Sequence, residues 1–165
     1  MKQIDIDNID IKLLNALQSD ASLSNQSLAA LTHISPPTCL RRVKRLREVG
    51  LIERQVALLN PDKLARVIGH GLTAIVEITL DQQGDEHLAA FEQRITDQAA
   101  VQQCYRTTPG PDFVLIVHVA DMLAYLALSQ SLFTSDANVR NVKAFFSAKR
   151  AKFEPKIEIK VPVAQ

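Results

Sequence analysis

Apolar residues recur at helical spacing in three successive segments near the N-terminus. The first, 7–19 (DNIDIKLLNALQS), presents one apolar stripe, and two further amphipathic segments follow Ser24 and Ser35. Ser, Asp and Asn side chains accept hydrogen bonds from the free N–H groups at the start of a helix, so Asp7 or Asn8 can cap the first helix and the two serines the others. The pattern predicts three short helices.

The third of these helices has the clearest sequence signature. Pro36 occupies its first position, where the missing N–H is not needed, and a tight turn at residues 32–34 separates it from the second helix. Cys39, Val43 and Leu46 recur at i, i+4 and i+7 and predict one buried face. Two short helices joined in this way predict a helix-turn-helix.

The pattern changes after Pro61 to alternating strands and helices. We predict strands at 69–80, 101–107, 113–120 and 139–149 and helices at 85–97 and 122–133. The order β-α-β-β-α-β is that of a ferredoxin-like domain, with a four-stranded antiparallel sheet and two helices on one face. The other face of the sheet carries apolar residues, which predicts a dimer through these sheets.

The predicted fold class is therefore α+β, with two domains. Residues 1–60 form a winged helix-turn-helix in which Leu51–Asn60 supplies a hairpin wing, 61–68 form a linker that is partly strand or turn, and 69–165 form the ferredoxin-like domain. The tail from Lys149 to Gln165 is expected to add an edge strand or to pack on a neighbour.

Charge is concentrated on the third helix, although the 165-residue chain has a formal net charge of only +1. Between residues 41 and 54 the cations are Arg41, Arg42, Lys44, Arg45, Arg47 and Arg54, opposed only by Glu48 and Glu53. A solvated charged face is the ordinary explanation of such a run. The preceding capped helix favours the alternative, which is binding of double-stranded DNA.

The residues of this helix divide by expected role. Thr38, Arg41, Arg42 and Arg45 lie off the buried face and are predicted to meet base edges in the major groove. Lys44 and Arg47 are better placed for phosphates, which position the protein without reading sequence. The start of the helix, at Ser35 and Pro37, belongs to the same predicted interface.

Several other classes of protein are not indicated. The acidic segment 1–10 predicts no signal peptide, and no apolar run is long enough to span a membrane, so we expect a cytoplasmic protein without membrane contact. Cys39 and Cys104 lack metal or redox spacing, and the scattered histidines lack acidic partners. We therefore expect no metal, no cofactor and no catalytic site.

The N-terminal residues resemble the Lrp/AsnC family of bacterial and archaeal transcription regulators. The similarity lies in DxxDxKLLxxLQxDA, LSNxxLA and SPPTCLRRVKRLREVGLI, and with the predicted C-terminal domain it covers nearly the whole chain. His33 stands where the family usually has Gly in the turn, so we expect a left-handed backbone at this position.

The loop 107–113 (TTPGPDF) carries the second point of resemblance. Family members usually have T-G-x-x-D followed by Tyr or Phe, which Thr108, Asp112 and Phe113 match, while Pro109 replaces Gly and a Gly follows at 110. Such a loop offers N–H groups to a carboxylate and a carboxylate to an ammonium, the pair that an α-amino acid needs. An ordinary hairpin turn is the alternative. The predicted effector-binding residues are Thr107, Thr108, Pro109, Gly110, Asp112, Phe113 and, on the facing strand, Ser147.

The resemblance implies a DNA-binding regulator that responds to an amino acid bound between dimers, often in an octamer. Two alternatives remain: an architectural DNA-packing protein without an effector, and an enzyme similar to the haem-pathway decarboxylases that resemble this family. The latter would need no basic recognition face, so the Arg41–Arg45 run disfavours it.

Overall fold

The computed structural model describes residues 4–159 and divides the chain into two compact units. The first unit contains the chain up to Leu58 together with the segment from Lys152 onward, and the second contains Leu59–Ala151. The described part of the C-terminal tail thus belongs to the first unit, whereas the predicted second domain extended to residue 165. Residues 1–3 and 160–165 of the predicted domains lie outside the described residues.

Three helices form the first unit, as predicted: α1 (Asn8–Ser19), α2 (Asn25–Thr32) and α3 (Pro36–Glu48). Asp7 caps α1 in a capping box with Asp10, and Ser24 and Ser35 cap the other two, so the predicted caps are confirmed. His33 ends α2 in the left-handed conformation, with φ 57° and ψ 44°. That is the backbone the tight turn was expected to need.

One apolar core holds these helices together, and each helix contributes its predicted stripe. The buried residues of this core are Leu13, Leu14, Leu28, Ala29, Cys39, Val43 and Leu46. The small Ala29, 1% exposed, lies where α2 meets its neighbours. Burial of the Cys39 side of α3 leaves its charged side facing away from the core.

Two predictions for the connecting segment are wrong. Leu51–Asn60 contains no strand, so the hairpin wing does not form, since the segment lacks the Gly, Asp or Asn residues that would reverse it before Asn60. The linker is a helix, α4 (Pro61–Ile68). Its start has the signature used upstream: the Asn60 side chain accepts from Lys63 N–H at 3.0 Å, and Pro61 occupies the first turn.

The second unit has the predicted order of elements. These are β1 (Leu72–Leu80), α5 (Asp85–Thr96), β2 (Val101–Arg106), β3 (Phe113–Val119), α6 (Met122–Ser129), a wider helical turn (Gln130–Thr134) and β4 (Val139–Phe146). The four strands pair antiparallel in the order β2-β3-β1-β4. This is the topology of a ferredoxin-like domain, and the α+β fold class is confirmed.

The two faces of the sheet differ in burial. Alternate residues of β1 and β3 form the core with α5 and α6, and Phe91 of α5 stacks on Phe113 with ring centroids 4.7 Å apart. Residues of the opposite parity, including Ile75 and Phe145, which pair across β1 and β4, are 40% and 52% exposed. Both helices therefore cover one face, and the other keeps apolar side chains at its surface.

Candidate DNA-binding face and effector loop

The start of α3 is tied down by side chains from both sides of the turn. Ser35 Oγ accepts from the Thr38 N–H at 3.4 Å and lies 2.9 Å from Thr38 Oγ1. Asn25 Nδ2, in the first turn of α2, donates to the Pro36 carbonyl at 2.9 Å. These contacts fix the first turn of α3 relative to α2, with Pro37 exposed beside them. A rigid start is what base-edge contacts from this turn would require.

Three cations of α3 point away from the core. Arg41, Lys44 and Arg47 are exposed. Lys44 Nζ lies 3.7 Å from a Glu48 carboxylate oxygen, a weak surface pair, and Arg47 Nη2 donates to Gln55 Oε1 at 2.7 Å. Among the side chains that the structure describes, no ion pair involves Arg41. These three side chains can reach a polyanion at little cost in broken contacts.

Arg42 and Arg45 are arranged differently, because both guanidinium groups contact Asp10 of α1. Arg42 Nη1 lies 2.9 Å from Asp10 Oδ1 and 2.7 Å from Asp7 Oδ2, and Arg45 Nη2 lies 2.5 Å from Asp10 Oδ2. The Asp10 side chain is only 1% exposed, whereas those of Arg42 and Arg45 are 23% and 44% exposed. We call Asp10, Arg42 and Arg45 the helix clamp. It joins the first turn of α1 to the middle of α3.

The contacts between α1 and α3 shift the pKa values of Arg42 and Asp7. Hydrogen bonds from Arg42 to Asp10 and Asp7 raise the pKa of the Arg42 guanidinium, so it stays charged. The Asp10 backbone N–H, and then Arg42, hold the pKa of Asp7 below its ordinary 3.8, outweighing the opposing effect of burial. Both arginines were expected to face a DNA groove, and the structure instead places them against α1. Their part in DNA binding stays a prediction.

The loop between β2 and β3 is fastened at both ends. Thr107 N–H donates to the Asp112 carbonyl at 2.9 Å, and Asp112 N–H donates to the Ile78 carbonyl at 2.8 Å. The Asp112 carboxylate accepts from the Leu80 N–H at 2.7 Å and from Gln83 Nε2 at 3.2 Å. One carboxylate oxygen is therefore engaged within the chain, and Asp112 anchors the loop against the end of β1.

The remaining predicted effector residues fall into two groups. Thr108, Pro109 and Gly110 form the exposed tip of the loop, with a cis peptide bond between the first two. Phe113 is fully buried in the core and holds the base of the loop. Ser147 is exposed just beyond β4, where its N–H donates to the Thr73 carbonyl at 2.9 Å. An incoming molecule would therefore meet the tip of the loop rather than Phe113.

Two residues of the first unit that position α3 were not predicted from the sequence as site residues. These residues are Asp10, which binds Arg42 and Arg45, and Asn25, which binds the Pro36 carbonyl. The D-x-x-D spacing at residues 7–10 does signal a capping box, but nothing local shows that the second carboxylate also meets Arg42 and Arg45. Within residues 4–159 no cluster of metal-ligating side chains is present, and no helix is long and apolar enough to cross a membrane.

Comparison with known proteins agrees with the helix-turn-helix and with the second unit. The AsnC-type helix-turn-helix domain matches residues 6–47, and the Lrp/AsnC ligand-binding domain matches residues 73–157. The chain is 34% identical to the DNA-binding transcriptional activator DecR of Escherichia coli, over 93% of this chain and 99% of the relative.

Two solved structures superpose on nearly the whole chain. A crystal structure of an AsnC family transcriptional regulator from Agrobacterium tumefaciens gives a TM-score of 0.80 at 29% identity, covering 93% of this chain and 97% of that one. A transcriptional regulator from Neisseria meningitidis, crystallised in complex with L-Met, also gives 0.80 at 27% identity with the same coverage.

A helix-turn-helix joined to a ferredoxin-like ligand-binding domain defines a class of DNA-binding regulators. Both domain matches and the near full-length relatives place the chain within one group of this class. The chain belongs to the Lrp/AsnC family of transcription regulators.

Proposed function

We propose that this protein binds specific operator sequences through α3 and that an amino-acid effector changes its DNA binding or its assembly. The observation that carries the proposal is the exposed cationic side of α3, which follows a first turn fixed by Ser35 and Asn25. The charge supplies affinity for phosphates, and the fixed turn supplies the register that sequence reading needs.

The structure supports a division of labour along α3. We assign Arg41 and Thr38 to base edges, since Arg can bind the O6 and N7 atoms of guanine together. We assign the exposed Lys44 and Arg47 to phosphates. Arg42 and Arg45 act mainly through the helix clamp, by setting the orientation of α3 on α1.

The proposed effector site is the tip of the loop at Thr108–Gly110, with the Asp112 carboxylate behind it and Ser147 as a further candidate. The L-Met complex of the Neisseria regulator supports an amino acid as the class of ligand. Backbone N–H groups at the tip would hold the ligand carboxylate, although Pro109 offers none.

The exposed apolar face of the sheet supports assembly through this domain. Ile75, Phe145 and Tyr105 are each at least 40% exposed on a surface that a dimer would cover. We infer a homodimer that places two α3 helices on two half-sites and assembles further, to an octamer, in the cytoplasm.

Fluorescence anisotropy tests this function. A duplex from upstream of the protein's own gene is compared with a scrambled duplex, with and without each of the twenty amino acids, over a range of salt concentrations. We expect preference for the upstream duplex and a change with one or a few amino acids. Arg41→Ala should lose about 1–3 kcal/mol of binding and relax the sequence preference, whereas Lys44→Ala should reduce the salt slope by about 1. Arg140→Ala, which removes an exposed cation from the second unit, is the matched control.

Each other outcome has a definite meaning. Specific binding without any amino-acid response would favour the architectural protein or another metabolite. If the protein shows no preference for the upstream duplex at low salt, that DNA does not contain the proposed operator. An equal loss of affinity in Arg41→Ala and Arg140→Ala would refute the assignment of the DNA interface to α3.

A further inference from the structure

The C-terminal segment of the chain lies along α1, about 140 residues away in sequence. Residues 152–159 follow the second unit and belong to the compact unit of α1–α3. Gln18 binds the backbone of Ile157 with both ends of its amide: Nε2 donates to the Ile157 carbonyl at 3.1 Å, and Oε1 accepts from the Ile157 N–H at 2.7 Å. We call residues 152–159 the C-terminal strap.

Two further hydrogen bonds align the strap with the same side of α1. Asn15 Nδ2 donates to the Ile159 carbonyl at 3.0 Å, and Lys156 Nζ donates to Ser19 Oγ at 2.8 Å. Asn15, Gln18 and Ser19 are at i, i+3 and i+4 and so share one helix face. The side chains thus act as a partner strand would, by pairing with an extended backbone.

Apolar contact distinguishes the two isoleucines of the strap. Ile159 is partly buried and packs against the core of the first unit, whereas Ile157 is 72% exposed. Ile159 is therefore the side-chain anchor, and Ile157 contributes through its backbone. A substitution that places a charge at one position or the other separates these contributions.

A short segment of chain connects the strap to the ligand-binding domain. β4 ends at Phe146, and only residues 147–151 separate it from the strap. Five residues span at most about 17 Å when fully extended. The first of them, Ser147, is a proposed effector contact, so a displacement there has a short covalent path to α1.

We propose that the Asn15–Gln18–Ser19 face of α1 is a docking surface for the chain's own C-terminal strap, and that this docking couples the ligand-binding domain to the DNA-binding domain. The coupling rests on the proposed function, whereas the docking does not. An effector transmits a signal by this path only if it favours a strap position, docked or displaced, in one of its binding states.

The test uses the full-length chain and two pairs of matched variants. Ile159→Asp places a charge at the partly buried anchor, and Ile157→Asp places the same charge at the exposed neighbour. Gln18→Ala removes the paired hydrogen bonds, and Gln26→Ala removes an exposed glutamine from α2, away from the strap. Hydrogen exchange of the Ile157 amide and the ratio of DNA affinities with and without each of the twenty amino acids, L-Met among them, are measured for the unmodified chain and for each variant.

Docking predicts slow exchange of the Ile157 amide in the unmodified chain, and about a tenfold or larger loss of that protection in Ile159→Asp and Gln18→Ala. The two controls should keep it. Coupling predicts that the ratio of DNA affinities approaches one in the first two variants and is unchanged in the controls. Because this ratio compares each variant with itself, a direct effect of Gln26 on DNA cancels.

The outcomes separate the two proposals. Free exchange of the Ile157 amide in the unmodified chain would overturn the docking. Lost protection with an unchanged ratio would overturn the coupling. If DNA binding of the unmodified chain responds to none of the twenty amino acids, the effector part of the proposed function fails, and the exchange measurements still decide whether the strap docks.

Discussion

Replacement of Asp10 by Asn tests whether the helix clamp holds α3 on α1. Asn preserves the size and shape of the side chain but removes the charge that faces two guanidinium groups. We expect the first unit to lose stability. We also expect its DNA binding to depend more steeply on salt and to discriminate less between sequences. Both effects follow from the release of Arg42 and Arg45.

The burial of the three side chains sets the magnitude. Loss of one partner from a fully buried ion pair costs about 3–5 kcal/mol, whereas an exposed pair contributes at most about 1 kcal/mol. Asp10 is buried, but Arg42 and Arg45 are 23% and 44% exposed and can regain water. Arg42 also keeps its contact with Asp7. We therefore expect a loss of about 2–3 kcal/mol in the free energy of unfolding of the first unit.

Native-state hydrogen exchange at amides of α1 and α3 measures this loss in the first unit alone, which matters because a chain of two units need not unfold in one step. Anisotropy measures the DNA effect: each released arginine that reaches a phosphate steepens the salt slope by about 0.9. Asp5→Asn removes an exposed carboxylate nearby and serves as the control. If Asp10→Asn and Asp5→Asn have the same stability and the same salt slope, the clamp does not hold α3 on α1.

Three smaller substitutions test other features. His33→Gly should stabilise the first unit by about 0.5–1 kcal/mol in urea unfolding, since relief of left-handed strain at φ 57° exceeds the added entropy of Gly in the unfolded chain; an unchanged midpoint would contradict this. Gly71→Ala should cost about 1–3 kcal/mol, because the new methyl group would lie 2.4 Å from the His118 ring, and much of this loss should disappear in combination with His118→Ala. Asp7 has a lowered pKa in the folded chain, mainly through the Asp10 N–H, so its ionised form stabilises the unit above its unfolded pKa, and this contribution is lost as pH falls through the folded value, below 3.8. Asp7→Asn keeps a capping side chain and should flatten this acid-side decline in a pH series of unfolding experiments; a decline equal to that of the unmodified chain would exclude Asp7 as its source.

Local chemistry made much of the fold predictable. The caps at Ser24 and Ser35 and the left-handed residue at His33 depend on side chains within a few positions of each helix end. The strand and helix order of the second unit follows equally from short-range periodicity. In such segments the conformation of each residue depends on side chains within about one turn of the helix or strand.

The errors also have a local cause. The β-propensity of the aliphatic run in Leu51–Asn60 predicts a wing, yet no residue before Asn60 favours a reversal of the chain. Val56 and Leu58 are each 63% exposed, so the apolar content of this run reflects no burial within the chain. The pair Asn60 and Pro61, in contrast, is a helix start of the same type as Ser35 and Pro36, so α4 was predictable from local chemistry.

Contacts between distant residues were beyond the reach of the sequence patterns. An amphipathic helix shows which side of α3 is buried, but an arginine at the border of that face is long enough to turn either toward solvent or back to a carboxylate. The side chain of Arg42 takes the second course because Asp10 is buried 32 residues upstream. The same limit applies to Gln18, whose partner is the backbone of Ile157.

These distant contacts give α1 a role beyond packing its apolar stripe into the core. Its first turn holds Arg42 and Arg45 of α3 through Asp10, and its last turn holds the strap through Gln18. Gln18 lies eight positions after Asp10, about 12 Å along the axis. An α-helix whose middle is packed into a core moves over such a distance as one body, so a shift at its last turn also displaces its first turn. If the strap transmits an effector signal, the orientation of α3 should therefore change by way of α1, while the base-contacting side chains keep their own geometry.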